Sequence, residues 1–287
     1  MQKYNFAQLF TFAPPIRFNK KHRPNSSHYY TFSPDNYGAG KGLKNNFSLL
    51  EKREFKGRED FFQGQAGDIV FSLAPYKNNR YPLAVIAPQS LYIGKPNFNY
   101  NFYETILQYD AQVLHPELAR YLCLCLTPFL LEKDNGFFGL NTTKTSIAHN
   151  FNFNIPPLAQ QPEFIEQQVL PYVQSYLQVK EALEQDLCQM VNHLMQKIIA
   201  PEFFVPVRQY LALPNATGAQ LNKDNFATFI SQFTSSESKA KEIAKQLKSE
   251  QYKNVVNHYR NLQKATKQLI WQSEMLLYRK LYCHVFN

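Results

Sequence analysis

Short apolar runs bounded by Gly, Pro or Asn fill the first half of the chain, whereas the second half carries apolar residues at a seven-residue period. Tyr29 to Phe32, Asp68 to Leu73, Leu83 to Pro88, Leu91 to Ile93 and Phe151 to Ile155 are β-branched or aromatic and flanked by turn formers, which predicts strands. Pro116 to Leu131 differs. There Leu118, Tyr121, Leu122, Cys125 and Leu126 recur at helical spacing behind a proline suited to a first helical turn. The stretch Asn154-Ile155-Pro156-Pro157-Leu158-Ala159-Gln160-Gln161 marks a joint. Each proline fixes its own φ and pushes its predecessor to extended geometry, so the pair ends a strand and lets a helix start cleanly.

From Pro162 to Ile199 the pattern is helical, with Val169, Tyr176, Leu183 and Met190 in one row and Val173, Leu187 and Leu194 in a second that Lys180 interrupts. Alternating offsets of four and three are those of a coiled-coil seam, which predicts lengthwise packing on another helix. Glu237 to Phe286 repeats the pattern with Val255, Leu262, Leu269 and Leu276, joined by Ile243, Leu247, Tyr259 and Trp271. Pro201, Pro206, Pro214 and Gly218 break the chain between them. The expected fold is therefore α+β: a mixed α/β domain over 1–157, a long helix over 158–200, a linker over 201–236, and a second long helix over 237–287 packing antiparallel on the first as a coiled-coil spacer.

The composition is that of a globular protein, with 287 residues of which 44% are hydrophobic. No run of about eighteen uncharged apolar residues occurs, and the first residues lack a signal-peptide pattern, so the expected location is cytoplasmic, away from any membrane. Cys123, Cys125, Cys188 and Cys283 have neither disulfide-framework nor zinc-ligand spacing. Cys123 and Cys125 fall in an apolar run and read as small buried side chains. The net charge of +9 is segregated: residues 1–58 hold 11 Lys and Arg against 3 acidic residues, and 236–287 hold 10 against 4. Such basic blocks favour a polyanionic partner, although basic termini also serve solubility alone.

Candidate chemistry is sparse. None of the seven histidines has His-Glu-x-x-His spacing. A metal-dependent nuclease would need a Glu-x-Lys pair after a strand-borne acid, and none follows Asp68 before Glu104. Asn154-Ile155-Pro156-Pro157-Leu158 has one residue too many, and no aromatic, for the Asn-Pro-Pro-aromatic box of an adenine methyltransferase. Gly38-Ala39-Gly40-Lys41-Gly42 lacks the upstream glycine and following Ser or Thr of a Walker loop, and reads as a flexible loop whose lysine can touch a phosphate. A non-catalytic chain is expected.

What remains is a binding inventory. Arg17, Lys20, Lys21, Arg23, Lys41, Lys44, Arg53, Lys56 and Arg58 are interleaved with Tyr29, Tyr30, Asn36, Tyr37, Asn45 and Asn46. Lys and Arg neutralise phosphates, while Arg and Asn make bidentate contacts to base edges. Two loops repeat the inventory, Lys77, Asn79 and Arg80 in one, Asn141, Thr143 and Lys144 in the other. The expected readout residues are Lys77, Asn79, Arg80, Asn141 and Lys144, with Arg17, Lys20, Lys21, Lys41 and Lys44 on phosphates, and Arg23 and Thr143 are further expected DNA-binding residues.

At these residues the chain resembles the specificity subunit of type I restriction-modification systems. The resemblance rests on the order of Gly67-Asp68-Ile69-Val70-Phe71-Ser72, the Pro116-Glu117-Leu118-Ala119-Arg120-Tyr121-Leu122 helix, the Thr142-Thr143-Lys144-Thr145-Ser146-Ile147 loop, and the strand into Ile155-Pro156-Pro157-Leu158-Ala159-Gln160-Gln161. It covers residues 1–199. It implies a target recognition domain that reads double-stranded DNA, with no cofactor of its own. The helices are then a ruler and a docking face, with Val169, Val173, Tyr176, Leu183, Leu187, Leu262 and Leu269 meeting a methyltransferase (modification) subunit that brings S-adenosylmethionine. A restriction subunit is a further implied partner. Two departures stand out: Gln160 replaces the usual Glu, and Pro162 is added within the first helical turn. A short linker also stands where the family has a second recognition domain, which implies a half-length form that dimerises to read an interrupted palindrome or pairs with another subunit. The alternative from another class is a helical-hairpin module that binds protein or RNA.

Overall fold

The computed structural model describes residues 1–14, 16–17, 28–32, 38–55, 60–76, 79–94, 104–132, 151–196, 238 and 250–287. The linker expected over 201–236 lies outside these residues, as do Lys20, Lys21, Arg23, Lys77, Asn141, Thr143 and Lys144. The chain divides into two compact units, Met1–Gln178 with Trp271–Asn287, and Val179–Ile270. Its class is mixed α/β with antiparallel and mixed sheets and a long C-terminal helix.

In the first unit β1 (Gln2–Asn5), α1 (Phe6–Leu9), β2 (Phe10–Phe12), β3 (Ile16–Arg17) and β4 (His28–Phe32) are followed by β5 (Leu50–Glu54) and β6 (Asp60–Gly64). Then come β7 (Ile69–Tyr76), β8 (Asn79–Ile86), β9 (Leu91–Gly94), β10 (Glu104–Tyr109), α2 (Pro116–Cys125), α3 (Thr127–Glu132) and β11 (Asn152–Ile155). One sheet has the order β2-β10-β7-β8, a second β3-β6-β9-β4-β5, and β1 pairs with β11 alone. All pairings are antiparallel except β4 with β9.

Alternation along the strands puts the two larger sheets face to face. Val70, Leu83, Val85 and Ile106 of one sheet share a buried cluster with Phe32, Leu50, Phe62, Leu91 and Ile93 of the other, and Trp271 packs on it from the C-terminal helix. Tyr92, between Leu91 and Ile93, faces the other way and meets Phe61 edge-on at 5.2 Å. Helix α2 packs on β8, and every residue from Leu118 to Leu126 is buried, Cys123 and Cys125 included. Burial pushes both thiols far above their usual range, which keeps them protonated and unreactive.

The Gly-Asp-Ile start of β7 is a turn device. Gly67 sits at φ +93, in the left-handed region that favours glycine, and Asp68 Oδ2 accepts the Gln65 backbone N–H at 2.8 Å. The Pro-Pro joint is locked more firmly. After β11 and a 3-10 turn (Leu158–Gln160), α4 (Gln161–Phe164) begins with Gln161 0% exposed. The Gln161 amide donates to the carbonyls of Val113 at 2.8 Å and Pro156 at 2.9 Å, and its Oε1 accepts the His115 backbone N–H at 2.7 Å. Pro162 falls in the first turn, where a missing N–H costs nothing.

Helix α4 runs through a π turn (Ile165–Val169) into α5 (Leu170–Gln196). Ile165, Val169, Val173 and Tyr176 are buried, Leu183 and Leu187 are half-buried, and Leu177, Val179 and Met190 are exposed. The last helix, α6 (Glu250–Lys280), ends in a π turn (Leu281–Phe286) that packs on β11, α2 and the turn Ile165–Val169. Phe129, Phe151 and Phe153 surround Tyr282 there, with ring centroids 4.9 to 5.8 Å from it. The buried stripe of α6 holds Tyr259, Ile270, Glu274, Leu277, Tyr278 and Leu281. It is displaced by one position from the expected row, and Leu269 and Leu276 are 50% and 51% exposed. Glu274 and Tyr278 lie within that buried stripe, where they satisfy one another by a hydrogen bond at 2.8 Å. Among the described residues no helix is long and apolar enough to cross a membrane.

Replacing Gln161 with Ala leaves the His115 amide and two carbonyls without their partner. The expected loss is about 1–3 kcal/mol of folding stability, read as a lower midpoint in chemical denaturation, and an unchanged midpoint contradicts the lock.

Candidate nucleic-acid interface

The glycine-rich segment, expected as a loop, forms a series of hydrogen-bonded turns. Successive backbone bonds run from Lys41 N–H to Gly38 O at 3.1 Å, Leu43 N–H to Gly40 O at 3.4 Å and Lys44 N–H to Lys41 O at 3.4 Å. Gly40 has φ +78, and a Cβ on Gly42 would overlap the backbone carbonyl oxygen of Pro82 in β8. Glycine is required at both places, for conformation at the first and for space at the second. Gly40, Gly42 and Leu43 face inward, while Lys41, Lys44, Asn45 and Asn46 are exposed.

Two charged side chains hold the inner side of the turn. Arg120 of α2, only 2% exposed, donates from Nη1 to Gly42 O at 2.7 Å and from Nη2 to Leu43 O at 3.1 Å. Its Nε meets Glu117 Oε2 at 2.9 Å, and its guanidinium lies 4.7 Å from the centre of the Tyr121 ring. Burial raises the Tyr121 hydroxyl pKa, and the neighbouring Arg120 charge partly opposes that. On the other side Glu274 of α6 accepts the Gly40 N–H through Oε2 at 2.9 Å and the Tyr278 hydroxyl through Oε1 at 2.8 Å. Burial, then the Glu274 charge, lifts the Tyr278 hydroxyl well above its ordinary value. Asn45 completes the clamp: its Oδ1 accepts the Ile86 N–H at 3.0 Å and its Nδ2 donates to Glu117 at 3.0 Å.

This clamp lays the turn along β8: Gly42 abuts Pro82, and the Asn45 side chain meets the Ile86 N–H further along the strand. From Gly42 onward the turn therefore runs away from Asn79 and Arg80, and Lys41 is nearer to that end of β8 than Lys44. Of Asn79, Arg80 and Arg17 the backbone alone is described. Arg17 is set apart from this group: it lies in β3, an edge strand of the five-stranded sheet, whereas β8 is an edge of the four-stranded one.

A second feature lies on the outer face of the five-stranded sheet. Tyr29, Phe55, Phe61 and Tyr92 form a ring cluster with centroids 5.0 to 6.4 Å apart. Gly94 leaves the space that the Tyr29 ring occupies. Arg53, cross-strand from Tyr29, binds Glu51 at 2.9 Å, and that bond raises its guanidinium pKa. A paired Arg53 offers phosphate less than the exposed Lys41 and Lys44 do.

The inner residues Arg120, Glu274 and Gly42 escaped the sequence reading because their partners are far along the chain, 78 residues for Arg120 to Gly42 and 234 for Gly40 to Glu274. One signal was available, a lone arginine amid the apolar positions of α2. Among the described residues no group of three or more His, Cys, Asp or Glu side chains is placed to hold a metal ion.

Gly42→Ala is expected to cost about 1–3 kcal/mol in a denaturant melt, since the added methyl meets rigid backbone. Lys41→Ala, on the exposed side of the same turn, is expected to stay within about 0.5 kcal/mol of wild type. Equal effects from the two contradict the inward and outward division of the turn. No protein-family model, no curated protein and no solved structure matches this chain.

Proposed function

We propose that the chain is a sequence-specific double-stranded DNA-binding subunit that directs an adenine methyltransferase to its target, as the specificity subunits of type I restriction-modification systems do. The observation that carries the reading is the Lys41–Lys44 turn, held from within by Arg120 and Glu274 beside the strand that bears Asn79 and Arg80. Exposed lysines on a held turn, with Asn and Arg on the strand against which it lies, are what duplex recognition asks for, phosphate contacts to set register and a few side chains to read bases. Further support comes from the motifs of the resemblance. Gly67-Asp68 builds the turn into β7, Pro116 opens α2, and the final Gln of the Pro-Pro joint is the buried Gln161.

In this reading α5 and α6 form the antiparallel spacer. The exposed Leu177, Val179, Met190, Leu269 and Leu276, with the half-buried Leu183, Leu187 and Leu262, offer apolar surface to a modification subunit, to a restriction subunit, or to a second copy of the chain. S-adenosylmethionine belongs to the methyltransferase, the chemistry is the partner's, and the setting is the cytoplasm. The same exposed face would serve a helical interaction module without DNA, and recovery of partners that is indifferent to nuclease treatment favours that second reading.

Selection from random duplexes by the full chain with its modification partner is expected to return one enriched motif, bound with affinity that falls steeply as salt rises. Arg80→Ala is expected to cost about 1–3 kcal/mol and relax one position of the motif, while Lys41→Ala weakens all sequences alike and lowers the salt slope by about 1. Absence of any enriched motif at every salt concentration contradicts the proposal.

A further inference from the structure

A carboxylate on a distant helix accepts a backbone N–H of the glycine-rich turn. Gly40 is in the left-handed conformation with its N–H turned inward, and Glu274 takes that N–H at 2.9 Å while fully buried. Glu274 is itself steered by Tyr278, one turn further along α6, whose hydroxyl holds the other carboxylate oxygen at 2.8 Å. Both belong to the last part of α6, whose Trp271 packs on the sheet core and whose Leu277, Tyr278 and Leu281 are buried. The turn is thus held by backbone contacts of opposite sign, carbonyls to Arg120 and an amide to Glu274. Only the second of these ties comes from the C-terminal helix.

From this geometry, and resting on the DNA-binding reading above, we infer that Glu274 is a positioning residue that ties α6 to the Gly38–Leu43 turn, so that the phosphate contact of Lys41 and the packing of α6 on the globular unit strengthen one another. A tie of this kind is reciprocal: whatever orders the turn from the DNA side steadies α6, and whatever steadies α6 from the partner side presets the turn. Arg120 cannot supply this coupling, because it ties the turn to α2, within the N-terminal part of the chain.

Hydrogen exchange and a double-mutant cycle on the full-length chain test the inference. In Glu274→Ala the amides of 38–44 are expected to exchange at least about ten-fold faster than in wild type. Glu274→Gln, which keeps one acceptor oxygen for Gly40, is expected to show a smaller increase. If circular dichroism shows that Glu274→Ala does not fold, Tyr278→Phe decides in its place, with about three-fold faster exchange expected. Unchanged exchange in the folded variants overturns the inference. On duplex DNA, Lys41→Ala is expected to lower affinity about five-fold in wild type and less than about two-fold in the Glu274→Ala chain. Equal losses in both backgrounds mean that Lys41 does not act through the turn set by Glu274, and overturn the coupling. A wild-type chain that binds no duplex at all defeats the proposed function, while the exchange measurement still rules on whether α6 positions the turn.

Discussion

Three pieces of backbone that would otherwise separate are held by the carboxamide of Gln161: the loop before α2, the exit from β11, and the start of the long helix. A fully buried amide with three satisfied hydrogen bonds has one arrangement, and losing any partner leaves a buried polar group exposed to no solvent. The rest of the unit is arranged about this point. Strand β1 pairs with β11 directly before the joint, and the last turn of the chain packs on β11 through Tyr282 and its ring of phenylalanines. The direction in which the first helix leaves is therefore fixed by the same strand that receives the end of the last one.

Buried polar groups perform similar work elsewhere in the unit. Arg120 and Glu274 clamp the glycine turn, and Glu104 on β10 reaches the opposite sheet to accept the Thr31 hydroxyl at 3.0 Å and the Phe32 amide at 3.2 Å. Burying charge is costly unless its bonds are complete, so each of these groups specifies one arrangement of segments distant in sequence. With the buried charges occupied by backbone, Lys41 and Lys44 are left exposed on the outer side of the turn.

The parts of this fold that were legible in sequence are those in which local pattern and burial agree. Tyr29 to Phe32, Leu91 to Ile93, the Pro116 helix start and the Pro-Pro joint all fall where apolar runs meet turn residues, and the structure places elements there. Strand β5 was illegible because Glu51, Lys52, Arg53 and Glu54 face solvent on an edge, where only backbone pairing with β4 makes them a strand. Strand β1, with Gln2, Lys3 and Asn5, is equally polar and depends on β11, about 150 residues away. The seven-residue count along α6 chose Leu269 and Leu276, and missed a stripe containing Glu274, because a count of apolar positions cannot foresee a carboxylate satisfied by Gly40 and Tyr278. For the candidate interface, residue types pointed to Lys41, Lys44, Asn79 and Arg80 separately; that the turn lies along β8 depends on Gly42 against Pro82 and Asn45 against Ile86, contacts that have no local signature.

The central claim is a division of labour, in which the globular unit grips a duplex and the helices recruit the chemistry. Cross-linking the full chain to its bound duplex and mapping the attached peptides tests it most directly. The account predicts attachment within 38–46 and 77–81. Attachment confined to 179–270 contradicts it.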